Sequence, residues 1–113
     1  MSDAAKEPAS FEVQEGERSR VTGPLDFTTV SALLPLGTDA IDQGRSGVID
    51  LAGVTASDSS GLALLIEWLS VARAAGRTLR YENLPTQLYQ LARLSEVEDL
   101  LGAAGAQSSP TPK

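Results

Sequence analysis

The polar loop at residues 55–61, which reads TASDSSG, is the segment with the clearest capacity for chemistry. It follows the apolar run at 48–54 and precedes an apolar-periodic segment, so we predict that it joins the carboxyl end of a strand to the first turn of a helix. Ligands of open α/β sheets bind at such positions, where free amides and the helix dipole favour negative charge. A phosphoryl group on Ser59 would be stabilised there, although the neighbouring Asp58 would repel it.

A structural role for the same loop is the simpler interpretation. Ser59 or Asp58 is a suitable N-cap, whose side chain accepts a hydrogen bond from the first helical turn and contributes about 1 kcal/mol to stability. The residue types alone are compatible with both roles.

The composition excludes most catalytic centres. The 113 residues include no His and no Cys, which removes thiol nucleophiles, imidazole bases, Ser-His-Asp triads and the usual zinc sites. Carboxylates such as Asp50, Glu67 and Glu82 form no spaced pair typical of hydrolases, and no glycine-rich phosphate-binding motif occurs. We predict that the protein is not an enzyme and requires no metal or cofactor.

The charge balance restricts the partners. With 9 Lys and Arg against 15 Asp and Glu, the net charge is −6, which argues against nucleic acid or an anionic membrane surface and favours a basic partner. The longest apolar run, Leu62–Ile66, is far below the roughly 20 residues that a membrane span requires. The first ten residues lack the apolar segment of a secretory signal. We therefore expect a cytoplasmic protein that reaches a membrane only through a partner.

The helix predicted from about Ser59 to Ala75 is apolar on more than one side. At about 100° per residue, one stripe contains Leu62, Leu65, Ile66 and Leu69, and a second contains Leu64, Trp68, Val71 and Ala75. Packing on a sheet requires only one stripe. The second stripe is either buried by another helix of the same domain or offered to a partner, for which Trp is a frequent anchor.

The elements before the loop begin with a hairpin. Alternation predicts strands at 11–15 and 18–25, joined by a turn at Gly16. An apolar-periodic helix follows from Val30 to about Ile41, in which we expect Pro35 to cause a kink or a restart.

The remaining elements complete an α/β domain. A strand at 48–54, the long helix and a strand at 78–83 form a right-handed βαβ crossover with parallel strands. A third helix is predicted after Pro85, and a capping box from Ser95 to Glu98 predicts a short last helix.

The predicted organisation is one domain between two tails. Composition predicts disorder at residues 1–10 and 102–113. The domain at 11–101 is predicted to contain a small mixed β-sheet and about four α-helices.

Several segments resemble STAS domains, the fold shared by sulphate transporters and anti-sigma factor antagonists. The stretch VIDLAGVTASDSSGLALL resembles the family signature, in which an Asp-Ser-Ser-Gly-Leu turn leads from a strand into a helix. The segments LDFTTVSALLPL, GLALLIEWLSVARAAG and LPTQLYQLARLSEVEDLL are similar to the MlaB branch of that family.

The resemblance to MlaB implies a non-catalytic STAS subunit. Such a subunit binds and supports the ATPase subunit of an ABC-type phospholipid transporter that maintains outer-membrane lipid asymmetry, and is peripheral to the inner membrane through that partner. We expect partner-binding residues at Asp58, Ser59, Ser60 and Gly61 in the loop, with Leu64 and Trp68 as apolar anchors on the following helix.

The resemblance to anti-sigma factor antagonists implies an alternative. In that branch a Ser at the position of Ser59 or Ser60 is phosphorylated by a partner serine kinase, the anti-sigma factor, and the unphosphorylated form captures that kinase. Ser59 and Ser60 stand where MlaB-type sequences tend to have Thr-Gly, which keeps phosphorylation of either serine open. A small-ligand or nucleotide-binding module is a third interpretation.

Overall fold

The computed structural model describes residues 8–105. Within this part of the chain, four strands and four helices follow one another in the order β1 (Ser10–Gln14), β2 (Arg18–Leu25), α1 (Val30–Asp42), β3 (Val48–Ser57), α2 (Ser59–Ala74), β4 (Arg80–Glu82), α3 (Thr86–Leu94) and α4 (Glu98–Gly105). The predicted α/β class is confirmed.

The strands form one mixed sheet in the order β1-β2-β3-β4. β1 and β2 are antiparallel, whereas β2, β3 and β4 are mutually parallel, which confirms the predicted hairpin and βαβ crossover. β3 extends three residues beyond its predicted end at Val54, so that it runs to Ser57 at the edge of the candidate loop.

One face of the sheet carries the core. The two parallel crossovers step in the same direction, and their right-handedness places α1 and α2 on the same face. Side chains beneath this helical layer are fully buried, among them Val21, Ile49 and Leu51. Tyr81 of β4 is also buried, and its hydroxyl donates a 2.6 Å hydrogen bond to the carbonyl of Leu65 in α2.

The opposite face carries a network of charged side chains. Arg18 of β2 donates a 2.6 Å hydrogen bond to Glu82 of β4, which lowers the pKa of Glu82. Asp50 of β3 accepts bonds of 2.9 Å from the side chain of Asn83 and from the backbone N–H of Ala52. Partial burial of Asp50 opposes its ionisation, but these two bonds and the nearby arginines outweigh that effect and lower its pKa.

Helix α1 is continuous through Pro35, so the predicted restart is absent from it. The proline removes one backbone hydrogen bond, to the carbonyl of Ser31. Buried side chains lie on both sides of the proline, with Leu33 before it and Ile41 after it. Packing of both halves on the core therefore compensates for the missing bond.

The capping box predicted at Ser95 is wrong. Ser95 is the C-cap of α3, and its backbone N–H bonds to the carbonyl of Leu91. The chain then turns through Glu96, whose φ is +60°, and α4 begins only at Glu98. The residue types fit an N-terminal capping box, but Ser95 instead serves as the C-cap of the preceding helix α3.

The first and last elements of the described part of the chain are β1 and α4. β1 begins at Ser10, and α4 continues to Gly105, four residues into the segment predicted as a tail. The remaining residues of the two predicted tails, 1–7 and 106–113, lie outside the described residues.

Candidate functional site

Asp58 is the N-cap of α2, which answers the question that the sequence left open. Its backbone is extended, and its Oδ1 accepts hydrogen bonds from the N–H groups of Ser60 at 2.8 Å and Gly61 at 3.3 Å. Two of the otherwise unpaired amides of the first helical turn are therefore satisfied by a carboxylate. Ser59 is the first residue of the helix and is free of this task.

Asp58 also joins two loops. Its Oδ2 accepts a 3.4 Å hydrogen bond from the backbone N–H of Phe27, and its own N–H donates to the carbonyl of Leu25 at 3.2 Å. The loop between β2 and α1 is thus held against the start of α2. The phenyl ring of Phe27 projects outward and is 73% exposed.

Gly61 permits the close approach of α2 to the end of β2. A Cβ atom at this position would lie 2.5 Å from the carbonyl oxygen of Leu25, far inside van der Waals contact. Gly61 is itself buried. Gly61, predicted as a partner-binding residue, therefore positions the start of α2 against β2.

Gln87 of α3 secures the end of β3 behind the loop. Its Oε1 accepts hydrogen bonds from the backbone N–H and the hydroxyl of Ser57, at 3.3 and 3.4 Å. Gln87 thus holds the last residue of β3, and Asp58 alone connects β3 to α2.

Ser59 is exposed and Ser60 is half-buried. Within the described part of the chain, no side chain forms a hydrogen bond with the hydroxyl of Ser59. A phosphoryl group on this hydroxyl would lie at the positive end of the helix dipole. It would also lie next to Asp58, whose carboxylate already occupies the amides of Ser60 and Gly61, so phosphorylation would set two negative groups in competition for the same donors.

The structure places Leu64 and Trp68, predicted as apolar anchors for a partner, inside the domain. Trp68 is completely buried and Leu64 is 4% exposed. The indole Nε1 of Trp68 donates a 3.2 Å hydrogen bond to the carbonyl of Leu34, and the ring packs edge-on against Phe11 with centroids 5.5 Å apart. Trp68, the centre of the second apolar stripe of α2, is thus covered by α1 and β1 of the same domain.

An apolar groove lies beside the loop instead. It has a volume of about 450 Å³ and is formed by the first halves of α1 and α2, with Val30 and Leu34 on one side and Ala63 on the other. Leu64 contributes to its floor and Ser60 to its end nearest the loop. Ser59 precedes the groove residue Ser60 in the chain, and the backbone of Phe27 is bonded to Asp58. We call the groove, Phe27, Asp58 and Ser59 together the loop edge.

The loop edge is acidic. Residues 25–34 and 57–67, which form it, contain Asp26, Asp58 and Glu67 and no Lys or Arg. Sequence reasoning missed Phe27 because it falls between two predicted elements, where periodicity carries no signal. The exposed ring of Phe27, and the hydrogen bond from its backbone N–H to Asp58, are visible only in the structure.

The described residues contain neither a group of potential metal ligands nor a membrane-spanning helix. No group of Asp or Glu side chains in residues 8–105 is placed to hold a metal ion. None of the helices in the same range is long and apolar enough to span a membrane.

The chain is similar to proteins of known family and structure. A family model described as "Mlab, STAS domain" matches residues 12–102. The anti-sigma factor antagonist SpoIIAA in its unphosphorylated form is 20% identical, with 76% of this chain and 82% of that chain covered and a TM-score of 0.59. The Bacillus cell fate determinant SpoIIAA in the phosphorylated form is also 20% identical, with 79% and 84% covered and a TM-score of 0.61. No curated protein matches the sequence.

Proposed function

The chain belongs to the STAS domain family of the MlaB type, and from this premise we propose that it is a non-catalytic cytoplasmic subunit that docks on the ATPase of an ABC-type phospholipid transporter. Through that ATPase it would be peripheral to the inner membrane and serve the maintenance of outer-membrane lipid asymmetry. The proposed contact is the loop edge.

The observation that supports this proposal best is the combination of a rigid backbone with exposed side chains at the loop edge. Asp58 fixes the backbone of two loops at once, so little conformational entropy is lost there on binding. Phe27 and Ser59 are exposed on this fixed backbone, beside an apolar groove. An exposed aromatic ring next to a groove is typical of a protein interface, and the acidic surroundings favour a basic patch on the ATPase.

The proposed mechanism is conformational. A non-catalytic subunit can affect an ATPase by binding some nucleotide-dependent states of the ATPase more tightly than others. The size of the effect is limited by the difference in binding free energy between those states. Docking of the loop edge would therefore stabilise the assembled complex and favour its active states.

Copurification with the ATPase tests the proposal. Ser59→Glu places a charge and a larger side chain at the centre of the loop edge, and we expect the variant to lose the ATPase because the longer side chain separates the two surfaces and the added carboxylate must lose its water. Ala74→Glu is the control, since it adds the same charge to an exposed position of α2, about 22 Å further along the helix. Retention of the ATPase by Ser59→Glu at the wild-type level would contradict docking through this edge.

A phosphorylation switch of the anti-sigma antagonist type is the second candidate function, favoured by the exposed and unpaired hydroxyl of Ser59. Incubation with the cognate serine kinase and ATP would then raise the intact mass by one phosphate. Ser59→Ala would abolish that increase, whereas Ser60→Ala would preserve it. An unchanged mass of the wild-type protein would eliminate this candidate.

A further inference from the structure

A second cavity lies at the opposite end of α2 from the loop edge. It has a volume of about 460 Å³ and lies between the C-terminal half of α2, the segment that leads into β4, and α4. Ser59 and Arg73 are 14 residues apart on this helix, which separates the two sites by about 21 Å along its axis. A ligand in this cavity would not touch the loop edge.

The polar lining of this cavity is suited to an anion. It includes Arg73 and Arg77 and the hydroxyl-bearing residues Ser70 and Thr78. Among the described residues, none that lines the cavity is acidic, although the whole chain carries a net charge of −6. Two arginines thus share one cavity without a carboxylate in its wall.

Both arginines have free hydrogen-bond donors. Within residues 8–105, neither Arg73 nor Arg77 forms an ion pair. Arg77 donates one hydrogen bond, from Nη2 to the carbonyl of Asp42 at 3.1 Å. A guanidinium has five N–H donors in a planar fork that matches carboxylate and phosphate groups, so most of this capacity is unused.

The rest of the lining is apolar. Ile66, Leu69 and Leu79 pack partly against the core and present their remaining surface to the cavity. Leu100 of α4 also lines it and is 50% exposed. The helix dipole accounts for a basic residue such as Arg73 in the last turn of α2, but it does not account for an exposed leucine beside it.

We propose that this cavity binds a small amphiphilic anion, namely a phosphate monoester or carboxylate carried on a short apolar chain. The anionic group contacts Arg73 and Arg77, with Ser70 and Thr78 beside them. The apolar chain lies against Leu69 and Leu100 and removes their exposed surface from water. The proposal is independent of the ATPase partnership, since no residue of the loop edge takes part.

Titration of the purified protein with hexyl phosphate tests the proposal. The backbone amide resonances of Ser70 and Thr78 are expected to shift, whereas those of Ser59 and Ser60 stay unchanged. Inorganic phosphate and hexanol, titrated separately, are each expected to bind at least about tenfold more weakly than hexyl phosphate. Equal binding by either fragment, or shifts confined to other residues, would overturn the proposal.

A variant series tests the role of the arginines. Arg73→Gln removes one guanidinium from an exposed position without an ion pair, so the fold is preserved, and we expect hexyl phosphate to bind about tenfold more weakly because a charge-assisted hydrogen bond is lost. Arg45→Gln is the matched control, since Arg45 is exposed but does not line the cavity. Wild-type affinity in Arg73→Gln, or an equal loss in Arg45→Gln, would overturn the proposal.

Discussion

Asp58 connects the local chemistry of a helix end to the shape of the loop edge. A single carboxylate accepts hydrogen bonds from α2 through Oδ1 and from the β2–α1 loop through Oδ2. The backbone on which Phe27 and Ser59 are presented is therefore fixed by one side chain. This arrangement separates two roles at the residue scale, because Asp58 holds the backbone, whereas Phe27 and Ser59 are the residues that would contact the partner in the proposed function.

Replacement of Asp58 by Ala is expected to destabilise the protein by about 1–2 kcal/mol, since the helix loses its N-cap and the amide of Phe27 loses its acceptor. Urea unfolding at neutral pH measures this change. Ser59→Ala is the control and should change the free energy of unfolding by less than about 0.5 kcal/mol, because Ser59 caps nothing. A larger loss of stability in Ser59→Ala than in Asp58→Ala would contradict the assignment of the cap.

Phe27→Ala is expected to leave stability almost unchanged, because the ring is 73% exposed in the free protein. If the loop edge docks on the ATPase, the same change should weaken binding by about 2 kcal/mol, the size typical of an aromatic anchor. Leu94→Ala provides the control, since Leu94 is 81% exposed on α3 and away from the edge. Binding titrations of the two variants with purified ATPase should differ, and equal affinities would speak against Phe27 as an anchor.

At the scale of elements, the contact between α1 and α2 depends on a glycine opposite an indole. A Cβ atom at Gly37 would overlap the five- and six-membered rings of Trp68, so the two helices approach at this point only because the side chain is absent. The hydrogen bond from Trp68 to the carbonyl of Leu34 fixes the same crossing. This contact determines the width of the groove at the loop edge, since the same two helices form its sides.

Gly37→Ala is expected to destabilise the domain by about 1–3 kcal/mol, because overpacking of the core exceeds the gain in helix propensity of about 1 kcal/mol. The fluorescence of the single Trp reports both the local change and the unfolding transition. Ser31→Ala, at an exposed position of the same helix, should be neutral or slightly stabilising. An increase in stability for Gly37→Ala would show that α1 can shift without cost.

Local sequence patterns predicted the strands and helices, but they predicted less well how these elements pack against one another. Alternation identified β2, and the polar loop followed by apolar periodicity identified the start of α2. The helical wheel also showed that α2 has a second apolar stripe, but it carried no information on what covers Trp68, because that depends on how α1 returns across the sheet. The same limit applies to Ser95, where a correct local pattern for a cap was overridden by the end of the preceding helix.

At the scale of the whole molecule, charge is divided between surfaces. The open face of the sheet pairs its arginines with carboxylates, as in Arg18 with Glu82 and Arg20 with Glu12. The charged side chains of the loop edge are all acidic, whereas the two charged side chains that line the cavity at the far end of α2 are both basic. A protein of net charge −6 thus has surfaces of different sign at the two ends of α2. The total charge can be read from the sequence, but the distribution of that charge over separate surfaces depends on the fold.

Acid is expected to destabilise the protein through the open face of the sheet. The pKa values of Asp50 and Glu82 are lowered by folding from their ordinary values of 3.8 and 4.5. Their contribution to stability is therefore fully present above those values and is lost as pH falls through the lower values of the folded state.

Urea unfolding between pH 6 and pH 3 measures this loss. Glu82→Gln should reduce the dependence of stability on pH in this range, because one of the two lowered carboxyl groups is removed. Glu67→Gln is the control, since Glu67 is exposed on α2 and outside the network of the open face. A steeper decline for Glu82→Gln than for the wild type would contradict the assignment.

The order of the strands in space is the same as their order along the chain. Each strand therefore finds its neighbour in the segment synthesised just before it, after one turn or one helix. The entropy lost in closing such short loops is modest, and topologies rich in nearby contacts fold faster than those that join distant segments. The nascent chain can add strands to the growing sheet as it leaves the ribosome, without waiting for its C-terminal end.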